Sequence, residues 1–311
     1  MTSYAAVGQA ERRGSLLELP PGFGPESLAI GASGRAYFGS LSDGTIRTVD
    51  LSSGEGRTLS PGPGSASGGL CLDDRGRLFV AGGFAGDARV IDTATGEVLA
   101  RWQLADGQPT LIADVAPALG AMWFTDSFAP VLHRVPLAPD GRPARPDEVR
   151  HIPVGGDVTY EDGFNLSGIS PTPDGAALLA VQANTGKLFR IDPATGTAAA
   201  VDLGGELLLS GDGMFLDGTT LYVALGAADA VAAVRLNAPG TSGTLLRRLT
   251  LDAFDIPTAI VPHAGHLYIV NSRLGSARSV ASGDPDTVVV VPRAWLDGEH
   301  APVLTPEKGT V

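Results

Sequence analysis

The stretch from Phe164 to Gly196, FNLSGISPTPDGAALLAVQANTGKLFRIDPATG, constrains the fold more than any other part of the chain. A short apolar run, Gly168 to Ser170, meets the turn Pro171-Thr-Pro-Asp-Gly175, in which Asp-Gly supplies the turn chemistry. A second apolar run, Ala176 to Val181, is broken by Asn184-Thr-Gly186. Lys187 to Asp192 then alternates polar and apolar residues before Pro193-Ala-Thr-Gly196 turns the chain again. Three strands in about 30 residues, with turn residues at each reversal, read as an antiparallel meander. A sheet of this kind cannot bury both of its faces alone, so it must be one of several stacked copies.

The copies are present. Leading strands start near residues 27, 69, 112, 167, 213 and 257, in the segments Glu26-Ser-Leu-Ala-Ile30, Gly69-Leu-Cys-Leu72, Ile112-Ala-Asp-Val115, Gly168 to Ser170, Asp212-Gly-Met-Phe215 and Pro257-Thr-Ala-Ile-Val261. Thr93-Ala-Thr-Gly96 repeats the closing turn of the 164–196 stretch almost letter for letter. A period of about 44 residues with about four strands per unit is that of a β-propeller, and six units predict six blades in an all-β chain. The sixth unit lacks a fourth strand of its own. Ser15-Leu-Leu-Glu-Leu19, near the N-terminus, predicts the strand that fills the gap and closes the ring. The expected organisation is an N-terminal extension over 1–14, a six-bladed propeller over 15–293 and a C-terminal tail over 294–311. Pro136 to Arg150, rich in Pro, Gly and charge, is expected to be an exposed loop.

Composition narrows the partners. With 42 Gly, 23 Pro, 18% charged and 43% hydrophobic residues, the chain suits a turn-rich globular β protein. A net charge of −12 disfavours a nucleic-acid groove or an anionic membrane surface. The N-terminus has no apolar core of signal-peptide length and no later run approaches a membrane span, so a cytoplasmic protein, a monomer or a weak homodimer, is expected. Cys71, the only cysteine, lies in an apolar run and reads as a buried, inert thiol. His133, His151, His263, His266 and His300 stand near no nucleophile motif.

In a propeller the innermost strand of each blade lines the central channel. The leading ends of those strands and the loops between second and third strands share one face. That face is approached by Glu26, Gly69, Ala113, Asp114, Asn165, Ser167, Asp212 and Thr258, and the loops add Asp126, Asn184 and Asn271. Phe84, Phe128, Tyr160 and Phe164 fall near the same mouth and point to a small-molecule pocket. Asp74, Asp174, Asp217 and His263 fall on the far face, where turn formation accounts for them.

The chain resembles the SMP-30/gluconolactonase-like six-bladed propellers, with strictosidine synthase and paraoxonase as more distant kin. The resemblance rests on Pro25-Glu-Ser-Leu-Ala, on Ala113-Asp-Val with Trp123-Phe-Thr-Asp-Ser127, on Gly168-Ile-Ser-Pro-Thr-Pro-Asp-Gly175 and on Gly211-Asp-Gly-Met214. It implies a divalent cation, calcium or zinc, at the top of the channel. The cation would be held by a Glu in the first blade, an Asn in the third, an Asn in the fourth and an Asp in the fifth. Glu26 and Asp212 match the two acids. Ala113 and Ser167 stand where the asparagines should be, with Asp114 and Asn165 beside them. Strand alternation turns Asp114 to the face opposite Ala113.

Three readings follow. In the first, a cation on Glu26 and Asp212 assists hydrolysis of a lactone or ester, with Asp212 also orienting the water. In the second, the metal is absent; burial and mutual repulsion then raise the pKa values of Glu26 and Asp212, and the pair serves as acid and base for a cyclisation or isomerisation of a natural product. In the third, the propeller is a non-enzymatic binding platform.

Overall fold

The computed structural model describes residues 15–107, 109–274 and 285–297. The expected N-terminal extension, most of the expected tail and His300 lie outside them. Strand β1 (Ser15–Leu19) precedes the first blade, which comprises β2 (Pro25–Ile30), β3 (Arg35–Ser40), β4 (Ile46–Asp50) and β5 (Gly56–Ser60). Blade 2 follows with β6 (Leu70–Leu72), β7 (Arg77–Ala81), β8 (Asp87–Asp92) and β9 (Val98–Gln103). Blade 3 has β10 (Ile112–Ala118), β11 (Ala121–Asp126), β12 (Val131–Pro136) and β13 (Arg150–Pro153).

In blade 4 a two-residue strand, β14 (Gly155–Gly156), lies parallel on the outer edge of β18 (Thr197–Ala200), outside β15 (Leu166–Pro171), β16 (Leu178–Gln182) and β17 (Leu188–Ile191). Blade 5 is β19 (Gly211–Asp217), β20 (Thr220–Leu225), β21 (Ala230–Leu236) and β22 (Gly243–Thr250). Blade 6 is β23 (Pro257–His263), β24 (His266–Asn271) and β25 (Asp286–Pro292), and β1 supplies its outer strand. The six-bladed propeller and its closing strand are therefore present as the repeat predicts.

Each blade buries both faces, and the middle strands show how. Along β11, Met122 and Phe124 pack toward blade 2 while Ala121 and Trp123 pack toward blade 4. Along β20, Leu221, Val223 and Leu225 face blade 4 while Tyr222 and Ala224 face blade 6. Period-two alternation thus sends successive apolar residues into two different cores, which is why these strands read as unbroken hydrophobic runs. Six apolar clusters result, one at each blade interface.

Two connections differ from expectation. The segment expected as an exposed loop is partly packed: Ala144 and Val149 are buried against the interface of blades 2 and 3, and Ala144 O accepts a bond from Trp102 Nε1 at 2.9 Å. The buried indole N–H needs an acceptor, and the loop folds inward to supply one. Past residue 293 the chain forms a short helix, Ala294–Asp297, that buries Trp295 and Leu296 against blades 5 and 6.

β1 pairs with β25 from Ser15↔Val290 to Leu19↔Asp286 and places Leu19, 2% exposed, in the core between blades 6 and 1. Leu19→Ala is expected to cost about 2–4 kcal/mol, measured as a lower urea midpoint at unchanged m-value. An unchanged midpoint would show that the ring does not depend on this strand.

Candidate functional site

The site is built on irregularities in the inner strands. Pairing shifts between Pro25 and Ser27, Ile112 and Val115, Leu166 and Ile169, Gly211 and Met214, and Pro257 and Ala259. In blade 2 the inner strand begins only after Gly68-Gly69. A bulge leaves residues outside the ladder and re-aims their side chains. Glu26, Ala113-Asp114, Ser167-Gly168, Asp212-Gly213 and Thr258 occupy these places.

Glycine is required where neighbouring inner strands nearly touch. A Cβ on Gly168 would stand 2.1 Å from the Asp212 carbonyl oxygen, and one on Gly69 would stand 2.2 Å from Asp114 Oδ1. The carboxylate of Asp114 thus fills the space that Gly69 leaves.

Two cavities meet at this level of the channel. The upper one, of about 510 Å³, is lined deep inside by Glu26, Ala113, Ser167, Asp212 and Thr258, and its rim carries Phe84, Phe164 and Leu274. The lower one, of about 370 Å³, is walled by all six inner strands and includes Ser27, Cys71, Asp114, Ile169, Gly213 and Ala259. Ala113 therefore faces up and Asp114 faces down; Glu26 and Asp212 line the upper cavity and Asp114 the lower, near enough for the charge of Asp114 to act on Glu26.

The electrostatics follow from this geometry. Burial, and then the negative charge of Asp212, push the Glu26 pKa well above its ordinary value. Burial also raises Asp212 to about 6, against hydrogen bonds that favour its ionised form; Ser167 Oγ donates to its Oδ1 at 2.9 Å. Asp114 rises to about 7 through burial, although Val115 N donates to Oδ1 at 2.8 Å and Ile169 N to Oδ2 at 3.1 Å. Glu26 Oε2 is buried without a hydrogen-bond partner. Thr258 Oγ1 donates to the Glu26 carbonyl oxygen at 2.6 Å, tying blade 6 to blade 1 beneath the acid. Cys71, half-buried on the wall of the lower cavity, has its thiol pushed up to about 12 by burial and by Asp114, so it is inert.

The other residues expected at the pocket separate into two groups. Ala113, Ser167, Asn184, Thr258 and Phe164 line the upper cavity with Glu26 and Asp212. Phe128 packs behind the rim, with ring centroids 5.7 Å from Phe164 and 5.9 Å from Phe84.

Asp126, Tyr160, Asn165 and Asn271 are not in the cavity lining. Asp126 accepts from Thr110 Oγ1 at 2.5 Å and from the N–H groups of Leu111, Phe128 and Ala129. Against the upward push of burial, His133 and then Thr110 and the N–H groups of Leu111 and Phe128 bring its pKa to about 2. Tyr160 donates to the Asp126 carbonyl oxygen at 2.7 Å. Asn165 donates to three carbonyl oxygens and accepts from Glu161 N and Gln182 Nε2. Asn271 joins Asp255 N to Ala253 O. Each satisfies loop backbone groups that would otherwise be buried unpaired. The sequence reading missed the apolar wall formed by Leu41, Leu111 and Ile256, since single loop hydrophobes carry no pattern.

The divalent cation that the resemblance implies would sit against Glu26 and Asp212. A hard cation of the calcium type takes roughly six to eight oxygens. Here the wall presents two carboxylates, a methyl group at Ala113, and at Ser167 a neutral hydroxyl already engaged with Asp212. Among the described residues, no three His, Cys, Asp or Glu side chains converge as a metal-binding set. The residues present do not fit the ion.

A family model described as strictosidine synthase-like, N-terminal, matches residues 12–48, a segment that ends within β4 of the first blade. No curated relative matches the sequence. Among solved structures, the chain is similar to virginiamycin B lyase from Staphylococcus aureus, with 17% identity over 83% of this chain and 82% of that one and a TM-score of 0.60. It is also similar to the major allergen Mala s 1 of Malassezia sympodialis, with 15% identity over 88% and 95% and a TM-score of 0.66. A third likeness is to a regucalcin from Agrobacterium tumefaciens, described as a calcium-binding protein, with 18% identity over 90% and 95% and a TM-score of 0.62. At these identities the likeness is one of fold. Among the described residues, no helix is long and apolar enough to cross a membrane.

The three acids make stability depend on pH. A carboxyl whose folded pKa lies above its unfolded value of about 4 binds its proton more tightly when folded, so it stabilises at low pH and loses that contribution as pH rises through the folded pKa. Between about pH 4 and the values near 6 and 7 of Asp212 and Asp114, stability is expected to fall with rising pH. Asp212→Asn is expected to flatten this slope and to raise stability above the Asp212 range by on the order of 2–3 kcal/mol. Urea melts across this window check both. A wild-type slope of opposite sign would refute the assignment of buried, uncompensated acids.

Proposed function

We propose that the protein is an enzyme that acts on a small molecule in the upper channel cavity, with Glu26 as general acid and Asp212 as general base and with no metal in the chemistry. The observation that carries this reading is the unpartnered Glu26 Oε2 beside a hydroxyl-bonded Asp212 in a largely apolar cavity that offers them no cationic side chain among the described residues. Two like charges cannot both persist there, so near neutral pH one proton resides on Glu26 while Asp212, stabilised by Ser167, stays ionised. A neutral acid on blade 1 and a carboxylate on blade 5 can deliver a proton to one atom of a substrate and remove one from another. That transfer suffices for a double-bond shift or a ring closure, with no net gain or loss of protons by the pair. The surrounding cavity holds the substrate in the reactive conformation and excludes water.

Cation-assisted hydrolysis of a lactone or ester, which the family resemblance implies, would need the amide oxygens of asparagines where Ala113 and Ser167 stand. A binding platform would need no acid pair deep in a concave cavity.

The experiment is a mass-spectrometric screen of neutral enones, dienes and lactones with the purified chain, followed by kinetics on the compound that reacts. Glu26→Gln and Asp212→Asn should each lower kcat about 10²–10⁴-fold. Activity should rise as Asp212 ionises near about 6 and fall at higher pH as Glu26 loses its proton. Chelator treatment should leave the rate unchanged. Turnover that disappears with the chelator and returns with calcium would overturn this reading in favour of the hydrolase.

A further inference from the structure

The rim of the upper cavity carries a second kind of information, separate from the acids below it. Three phenylalanines from three different segments line up at the mouth: Phe84 after β7, Phe128 after β11 and Phe164 before β15. Phe128 and Phe164 are stacked at 20° and Phe84 is tilted 39° to Phe128. Phe84 is 67% exposed and Phe164 49%. Leu274 and Ile256 line the cavity from blade 6, on the opposite side of the ring. Flat aromatic surface on one wall and aliphatic surface on the other form a slot suited to a planar apolar group.

The charge on the lining is one-sided. Among the described residues, Glu26 and Asp212 are the charged side chains that line this cavity, and no Lys, Arg or His joins them. An anionic ligand would meet like charge in a desolvated space and find no counter-ion, and the chain's net charge of −12 would also repel it at long range.

We infer that the upper cavity selects a ring-bearing, apolar molecule without negative charge, its ring lying against Phe84 and Phe164, which Phe128 backs, and its polar end directed down to Glu26 and Asp212. The substrate class is therefore an uncharged or cationic cyclic compound, and carboxylates, phosphates and acyl thioesters of phosphate-bearing carriers are excluded. This inference rests on the upper cavity being the substrate site.

The test needs no knowledge of the natural substrate. Naphthamide, naphthylmethylammonium and naphthoate share one ring and differ in charge; their binding to the full chain is measured by calorimetry at about pH 8, above the Asp212 range. The amide and the ammonium should bind, and naphthoate should bind at least about tenfold more weakly than the amide. Phe164→Ala, an exposed substitution that the fold tolerates, should weaken the amide about 3- to 10-fold. Asp212→Asn should bring naphthoate toward the affinity of the amide. Naphthoate binding as tightly as the amide in the wild type, or amide binding indifferent to both Phe164→Ala and Phe84→Ala, would overturn the inference. The outcome is separable from the acid–base reading: charge-selective binding that survives alongside full activity of Glu26→Gln and Asp212→Asn would remove the mechanism and leave the substrate class standing.

Discussion

A four-stranded blade has two apolar faces and can bury them only against the blades on either side. That constraint organises the whole molecule. Each middle strand divides its alternate residues between two cores, as Met122 and Phe124 against Ala121 and Trp123 show, so no blade is stable without both neighbours. A ring is the arrangement in which every blade has two neighbours. The last gap in the ring is closed by β1, whose distance in sequence from β25 makes the first residues of the propeller part of its last blade.

Closing the ring leaves an axis that the blades cannot fill. Inner strands converge there until backbone nearly touches backbone, which is where Gly168 and Gly69 are needed. At this level the ladders slip by a residue, and the side chains freed by the slip point into the channel. Glu26, Asp212 and Asp114 are therefore brought together by the same geometry that closes the fold. Their raised pKa values follow from burial, which their hydrogen bonds offset only in part and which no counter-charge relieves. Such a group of acids weakens the fold near neutral pH. Strain of this kind concentrates at functional sites.

Much of the site was legible in the chain, and the part that was not has a common cause. Glu26 and Asp212 could be placed because each opens a repeat unit, and position in the repeat is position around the axis. Ser167 was legible as a departure from a pattern. Asp126, Tyr160, Asn165 and Asn271 also sit at strand ends, yet their side chains turn into the loops, where unpaired N–H and carbonyl groups compete for them. Nothing in spacing distinguishes a polar residue that faces a cavity from one that braces a loop. Position 114 shows both sides of this: alternation correctly separates it from Ala113, but the sequence does not show that its carboxylate occupies the space left by Gly69 of the next blade.

The sequence by itself determined the repeat, the number of blades, the closing strand and the position of Glu26 and Asp212 at the leading ends of their repeats, because these depend on periodicity and on local turn chemistry; the family resemblance, and not the spacing, singled those two acids out. Only the tertiary structure decided that the Asp114 carboxylate occupies the space beside Gly69 on the lower cavity, and that phenylalanines from separate loops meet at one rim. Those features arise between blades far apart in the chain. The distances that matter there are set by how the ring closes, which no single repeat encodes.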